Sequence, residues 1–128
     1  MPRAMQLTVV LENKPGQLAR LAAVLKRAKV NILAISVVDT VEAGMVRVVV
    51  DSAAQARQAL AKAGMAVAQH PVLALNLPNE PGSLQAVAAR LAAAGMNLNY
   101  VYGSVTAKAT EGYLVLGVDK LAEALKAV

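Results

Sequence analysis

Residues 11–37 read LENKPGQLARLAAVLKRAKVNILAISV, and residues 77–103 read LPNEPGSLQAVAARLAAAGMNLNYVYG. Set side by side without gaps at an offset of 66, they share ten identities in 27 positions. The shared residues include Leu11/Leu77, Asn13/Asn79, Pro15/Pro81, Gly16/Gly82, Leu18/Leu84, Leu25/Leu91 and Asn31/Asn97. Most of the remaining differences are mild, such as Leu21/Val87, Ile32/Leu98 and Ile35/Val101. Self-similarity of this kind marks a duplicated structural unit, and the rest of the chain divides in the same way around it.

Upstream of each Pro-Gly lies a short apolar run, residues 5–11 (MQLTVVL) and 72–77 (VLALNL), which reads as a strand ended by turn residues. Downstream, Leu18, Leu21, Ala22 and Leu25 recur at i, i+3, i+4 and i+7, as do Leu84, Val87, Ala88 and Leu91. That spacing puts one apolar stripe on each of two helices, closed by Lys29 and Gly95. Second strands are predicted at Asn31–Val38 and Asn97–Val105, and third strands at Met45–Val50 and Tyr113–Val118, after turns at Gly44 and Gly112. Asp51-Ser52 and Asp119 read as caps of further helices over 52–63 and 119–127. Gly64 ends the first of these, and a fourth strand follows at 65–70.

Each unit is therefore β-α-β-β-α-β, the ferredoxin-like arrangement of an antiparallel sheet with two helices packed on one face. The fold class is α+β, with the units in tandem: residues 1–70, then residues 71–128, with a short joint near His70-Pro71. The second unit is expected to lack its last strand, leaving a sheet edge that invites pairing with another chain.

Composition agrees with such small units and removes several functions. Of the 128 residues 57% are hydrophobic, but 27 are alanine, Phe and Trp are absent, and the aromatics are Tyr100, Tyr102 and Tyr113. The core must be built from Val, Leu, Ile, Met and Ala. Without cysteine there is no disulfide, thiolate metal site or cysteine nucleophile. No apolar run approaches the ~18 residues of a membrane span, and Met1-Pro2-Arg3 leads into strand-like sequence without an apolar leader. A cytoplasmic protein without a membrane partner is expected. The formal charge is +5, yet the bases are scattered. The cluster Lys26-Arg27-Ala28-Lys29 sits at a helix C-terminus, where the helix dipole favours cations. The strands also lack the paired aromatics with which ferredoxin-like sheets stack RNA bases, so no nucleic-acid partner is expected.

Little in the chain can do covalent chemistry. His70 is the one histidine and reads as a structural or solvated residue, and no acids fall at metal-ligand spacing. No catalytic residue, metal or cofactor is assigned, and an enzyme is not expected. The repeated Asn-x-Pro-Gly-x-Leu is the remaining candidate. Glycine there permits a left-handed turn and a close approach to a ligand, and the N–H groups of a helix start favour a carboxylate. A plain helix lead-in, needing Pro and Gly for geometry alone, explains the pattern equally well.

A duplicated βαββαβ unit with Asn-x-Pro-Gly-x-Leu before its first helix, and Lys-Val-Asn or Gly-Met-Asn before its second strand, resembles the ACT family of amino-acid-sensing domains. The order of the whole chain is similar to that of small stand-alone bacterial proteins with two tandem ACT domains. The resemblance implies a non-catalytic regulatory protein that binds a small effector, an amino acid, where ACT units meet. It nominates Asn13, Pro15, Gly16, Gln17 and Leu18, their counterparts Asn79, Pro81, Gly82, Ser83 and Leu84, and the strand-two openings Asn31, Ile32, Asn97 and Leu98. It further implies a homodimer or higher homo-oligomer and a regulated protein partner. A ligand-free oligomerisation or protein-interaction module is the alternative, favoured if side chains such as Leu18 or Tyr100 fill the pocket. The repeats also differ: Tyr100 and Tyr102 replace Ala34 and Ser36, either to wall a pocket or to pack between units, and Asp39-Thr40 reads as a turn or as a hydrogen-bond acceptor for an amino group.

Overall fold

A computed structural model describes residues 3–39, 43–104 and 106–128. The order of elements is β1 (Arg3–Glu12), α1 (Gln17–Arg27), β2 (Ile32–Asp39), β3 (Ala43–Val50), α2 (Ala53–Lys62), β4 (Ala66–Pro78), α3 (Ser83–Ala93), β5 (Leu98–Ser104), β6 (Glu111–Val118) and α4 (Leu121–Ala127). The chain divides into two compact units. One comprises residues 5–70; the other comprises residues 71–128 together with Arg3 and Ala4.

In the first unit the strand order is β2-β3-β1-β4. Strand β3 pairs antiparallel with β1 (Leu7 opposite Val48, Glu12 opposite Ala43) and with β2 (Ile35 opposite Val48, Asp39 opposite Gly44). Alternation along these strands sends Leu7, Val9 and Leu11, and Val46, Val48 and Val50, to one face. There they form a buried core with Leu21, Val24 and Leu25 of α1 and Ala56 and Leu60 of α2. Of the predicted stripe Leu18, Leu21, Ala22 and Leu25, Leu21 and Leu25 pack and are joined by Val24, whereas Leu18 and Ala22 stay exposed. Truncating a fully buried leucine such as Leu7 or Leu60 to alanine is worth about 2–5 kcal/mol.

The second unit repeats the plan with smaller numbers of large side chains. Its strand order is β4-β6-β5, with Leu73 opposite Leu116, Pro78 opposite Glu111, and Val101 opposite Leu116. Leu73 and Leu116 meet Val87 and Leu91 of α3 and Ala124 of α4 in its core. Val105, the predicted end of β5, and Thr40 lie outside the described residues.

Two local expectations change. Residues 66–78 form one strand, so the predicted strands 65–70 and 72–77 are continuous through His70-Pro71, where the two units divide; proline tolerates an extended backbone where its missing N–H is not needed. The acids expected to cap helices do something else. Ser52 and Lys120 occupy the positions before α2 and α4, and neither makes a side-chain capping bond. Asp51 and Asp119 instead accept hydrogen bonds from the backbone N–H of Asn31 and Asn97, at 3.0 and 3.3 Å. Helix termination follows expectation, with Lys29, Gly64 and Gly95 all in the left-handed region at φ 60°, 82° and 75°.

Candidate functional site

The two Pro-Gly turns have nearly the same backbone. Gly16 and Gly82 precede α1 and α3, each with φ 90° and with ψ −10° and −8°. This region is costly for any residue with a Cβ. A Cβ added at either glycine would meet no other atom within 4 Å. Glycine is needed for the turn itself, and the space beside it is open. In both repeats the glycine carbonyl then starts the helix, accepting from Arg20 N–H at 2.9 Å and from Ala86 N–H at 3.0 Å.

Around this shared backbone the side chains differ. In the first turn Lys14 pairs with Glu12 at 3.1 Å, both exposed. In the second, Asn79 donates its side-chain amide to the Ala109 carbonyl at 2.8 Å and its backbone N–H to the Thr110 carbonyl at 2.9 Å. Ser83 Oγ–H donates to the Pro78 carbonyl at 2.6 Å. These bonds tie the second turn to the segment before β6 and to the end of β4, and Glu80 between them is exposed.

A cleft of about 240 Å³ opens beside this second turn. Leu77, Leu84 and Leu114 give it apolar walls, Gly103 and Gly112 keep it clear of side chains, and Glu80 lies on its border. Leu84 is 49% exposed and Leu18 46%, so neither leucine fills a pocket with its own side chain. Tyr100 lies over Gly117, where an added Cβ would overlap the ring. It stacks with Tyr102 at a centroid distance of 6.3 Å and does not line the cleft. Glu80, Gly103 and Gly112 were missed by sequence reasoning, although the exchange of Lys14 for Glu80 at matching places is visible in the repeat.

The strand-two openings lie elsewhere. Glu12 pairs at the Ala43 end of β3, but Ile32 pairs with Val50 at its other end. With ~3.4 Å per residue along a strand, the two ends are about 20 Å apart. Asn31 and Ile32 line a separate, open depression with Lys26 and Lys29. In the second unit Pro78 likewise pairs with Glu111 at one end of β6, and Leu98 with Val118 at the other. Asn97 directs its side-chain amide to Asn99 Oδ1 at 3.1 Å. Within one unit, then, Asn13 to Leu18 come together, as do Asn79 to Leu84, but neither group meets the asparagine that opens strand two.

Among the described residues no three His, Asp or Glu side chains could hold a metal ion, and no helix is long and apolar enough to cross a membrane.

A β-α-β-β-α unit with both helices packed against its sheet, occurring twice with the same left-handed Pro-Gly turn before its first helix, defines a tandem ferredoxin-like fold. The profile described as "ACT domain pair" matches residues 3–128, and the chain belongs to that family. Among solved structures it is similar to protein BT0572 from Bacteroides thetaiotaomicron, with 27% identity and a TM-score of 0.91 over 98% of this chain and 86% of that one. It also shares its fold with the regulatory subunit of aspartate kinase from Thermus thermophilus in the ligand-free form, at 17% identity and TM-score 0.72 over 97% of this chain and 89% of that one. The corresponding subunit from Thermus flavus gives 18% identity and TM-score 0.64 over 99% and 90%. A comparison with curated proteins finds no match.

Proposed function

We propose that this ACT domain pair is a non-catalytic cytoplasmic sensor that binds an amino acid at its Asn-x-Pro-Gly-x-Leu turns and acts on a regulated protein partner. The observation that carries the reading is the cleft of about 240 Å³ beside the second of these turns, lined in part by Asn79, Ser83 and Leu84, three of the residues the family resemblance nominates. A space of that size admits a small molecule such as one amino acid. The exposed N–H groups at the start of the adjoining helix suit the ligand's carboxylate. The fold shared with aspartate kinase regulatory subunits supports a regulatory role for such binding.

Signalling needs two arrangements that the ligand binds unequally. A homo-oligomer supplies them: the apolar side chains of Ile35 and Val37, which stand on the core-facing side of β2, are exposed, and an edge strand in that state favours association. A neighbouring ACT unit would then bring a strand-two asparagine to the turn that lacks one of its own.

Equilibrium dialysis of the protein against a mixture of the twenty amino acids tests the reading. Retention of one amino acid, or of one chemical group of them, supports it, and retention of none contradicts it. A ligand-free interaction module is the second reading, and retention of none would favour it.

A further inference from the structure

The two turns share a backbone but not a chemistry, and the differences fall at positions of identical register. Val37 pairs opposite Val46 in the first unit, and Gly103 pairs opposite Leu114 in the second. Where Val37 puts an isopropyl group, Gly103 has none, and β5 runs so close to β6 that a Cβ there would overlap the Tyr113 carbonyl oxygen and sit 2.7 Å from Leu114 Cδ2. That absence clears one wall of the cleft. At the turn itself the first repeat carries Lys14, held by Glu12, and the second carries Glu80, exposed at the cleft border. The remaining walls come from Leu77, Pro78, Leu84, Leu114 and Ser104, with Asn79 and Ser83 already committed to backbone carbonyls.

We propose that each chain has a single effector site, the cleft of the second unit, and that it selects a small amino acid with an apolar side chain, whose α-ammonium is received by Glu80. The inference rests on the sensor reading above and narrows it. A carboxylate at the rim complements the ammonium group. Among the described residues Glu80 is the one charged group of the lining, and burying a charged side chain unpaired against the leucine walls would be unfavourable. In the first unit the matching place carries Lys14, an ammonium already held by Glu12, in place of a carboxylate that could receive the ligand's own.

Calorimetric titration with L-leucine, L-isoleucine, L-valine and L-methionine, against L-aspartate and L-lysine, tests the assignment. One apolar amino acid should bind with one site per chain. Glu80→Gln should weaken it by about tenfold, as expected when a charge-assisted hydrogen bond is lost. The same substitution should change little the binding of 4-methylpentanoate, which keeps leucine's side chain and carboxylate but has no ammonium group. Lys14→Gln, the matching change in the first turn, should leave affinity unchanged, and thermal unfolding without ligand should confirm that both variants fold. Preference for aspartate or lysine, two sites per chain, or equal effects of Glu80→Gln and Lys14→Gln would overturn this assignment while leaving the sensor reading intact. Failure of all six to bind would overturn this assignment, and failure of all twenty in the dialysis would end the sensor reading as well.

Discussion

Asn31 and Asp51 hold each other by two hydrogen bonds: the Asn31 N–H donates to Asp51 Oδ1 at 3.0 Å, and the Asp51 N–H donates to the Asn31 carbonyl at 3.1 Å. The pair closes the end of the first unit at which α1 hands over to β2 and β3 to α2. Asn97 and Asp119 repeat the side-chain half of it at 3.3 Å. Asp51→Ala is therefore expected to destabilise the protein by about 1 kcal/mol, the worth of a partly solvated bond to a charged acceptor. Asp119→Ala should cost less. Urea denaturation of the two variants ranks them, and equal midpoints would show that the shorter, reciprocal pair has no greater weight.

Gly117 lies beneath the Tyr100 ring, opposite it in the β5–β6 register. An added methyl group overlaps the ring and must displace it from its stack with Tyr102. Gly117→Ala should destabilise by about 1–3 kcal/mol, as overpacking does. Combined with Tyr100→Ala, most of that cost should vanish, because contacting residues couple. A double-mutant cycle by thermal unfolding measures this, and additive effects would contradict the packing described.

Burial raises the pKa of the Tyr113 phenol above its ordinary 10.0. The folded state therefore holds the phenolic proton more tightly than the unfolded state does. The stability tied to Tyr113 is fully present below the unfolded pKa and is lost as pH rises from there through the folded value. Unfolding free energies measured between pH 9 and 11 should fall less steeply for Tyr113→Phe than for the parent protein. Equal slopes would remove Tyr113 as the source.

The exposed Ile35 and Val37 carry the prediction about assembly. Ile35→Lys with Val37→Lys puts two charges on the edge strand, a substitution that blocks strand-edge association. Sedimentation should give a species above the 13.2 kDa monomer for the parent and the monomer for the variant. A monomeric parent would contradict assembly through β2.

Much of the fold was legible because the repeat made each element appear twice. The stripe from Leu21 to Leu25, the strand of Leu7, Val9 and Leu11, and the helix stops at Lys29, Gly64 and Gly95 follow from periodicity and backbone preference alone. The junction did not. Pro71 suggested a break, but the chain remains extended through it, and local preference does not tell an extended linker from a strand. The role of Asp51 was hidden for a related reason: capping is local, whereas its partner Asn31 is twenty residues away.

The site was legible in part. Asn79, Pro81, Gly82, Ser83 and Leu84 could be nominated from the repeated motif, and Asn79, Ser83 and Leu84 line the cleft. Gly103 and Gly112 could not, because their contribution depends on the β4–β6–β5 register. Nor could sequence show that Asn31 and Asn97 sit at the far ends of their own units, about a strand's length from the turns.

The central claim is tested most directly by the thermal unfolding of the protein in the presence of each of the twenty amino acids at millimolar concentration. A ligand at 100 times its dissociation constant adds about 2.7 kcal/mol of stability, a rise of several degrees for a domain of this size. The account predicts such a rise for one apolar amino acid or a small group of them, and its loss in Gly82→Val, whose side chain the left-handed turn cannot accept without strain. An unchanged midpoint with all twenty would contradict it.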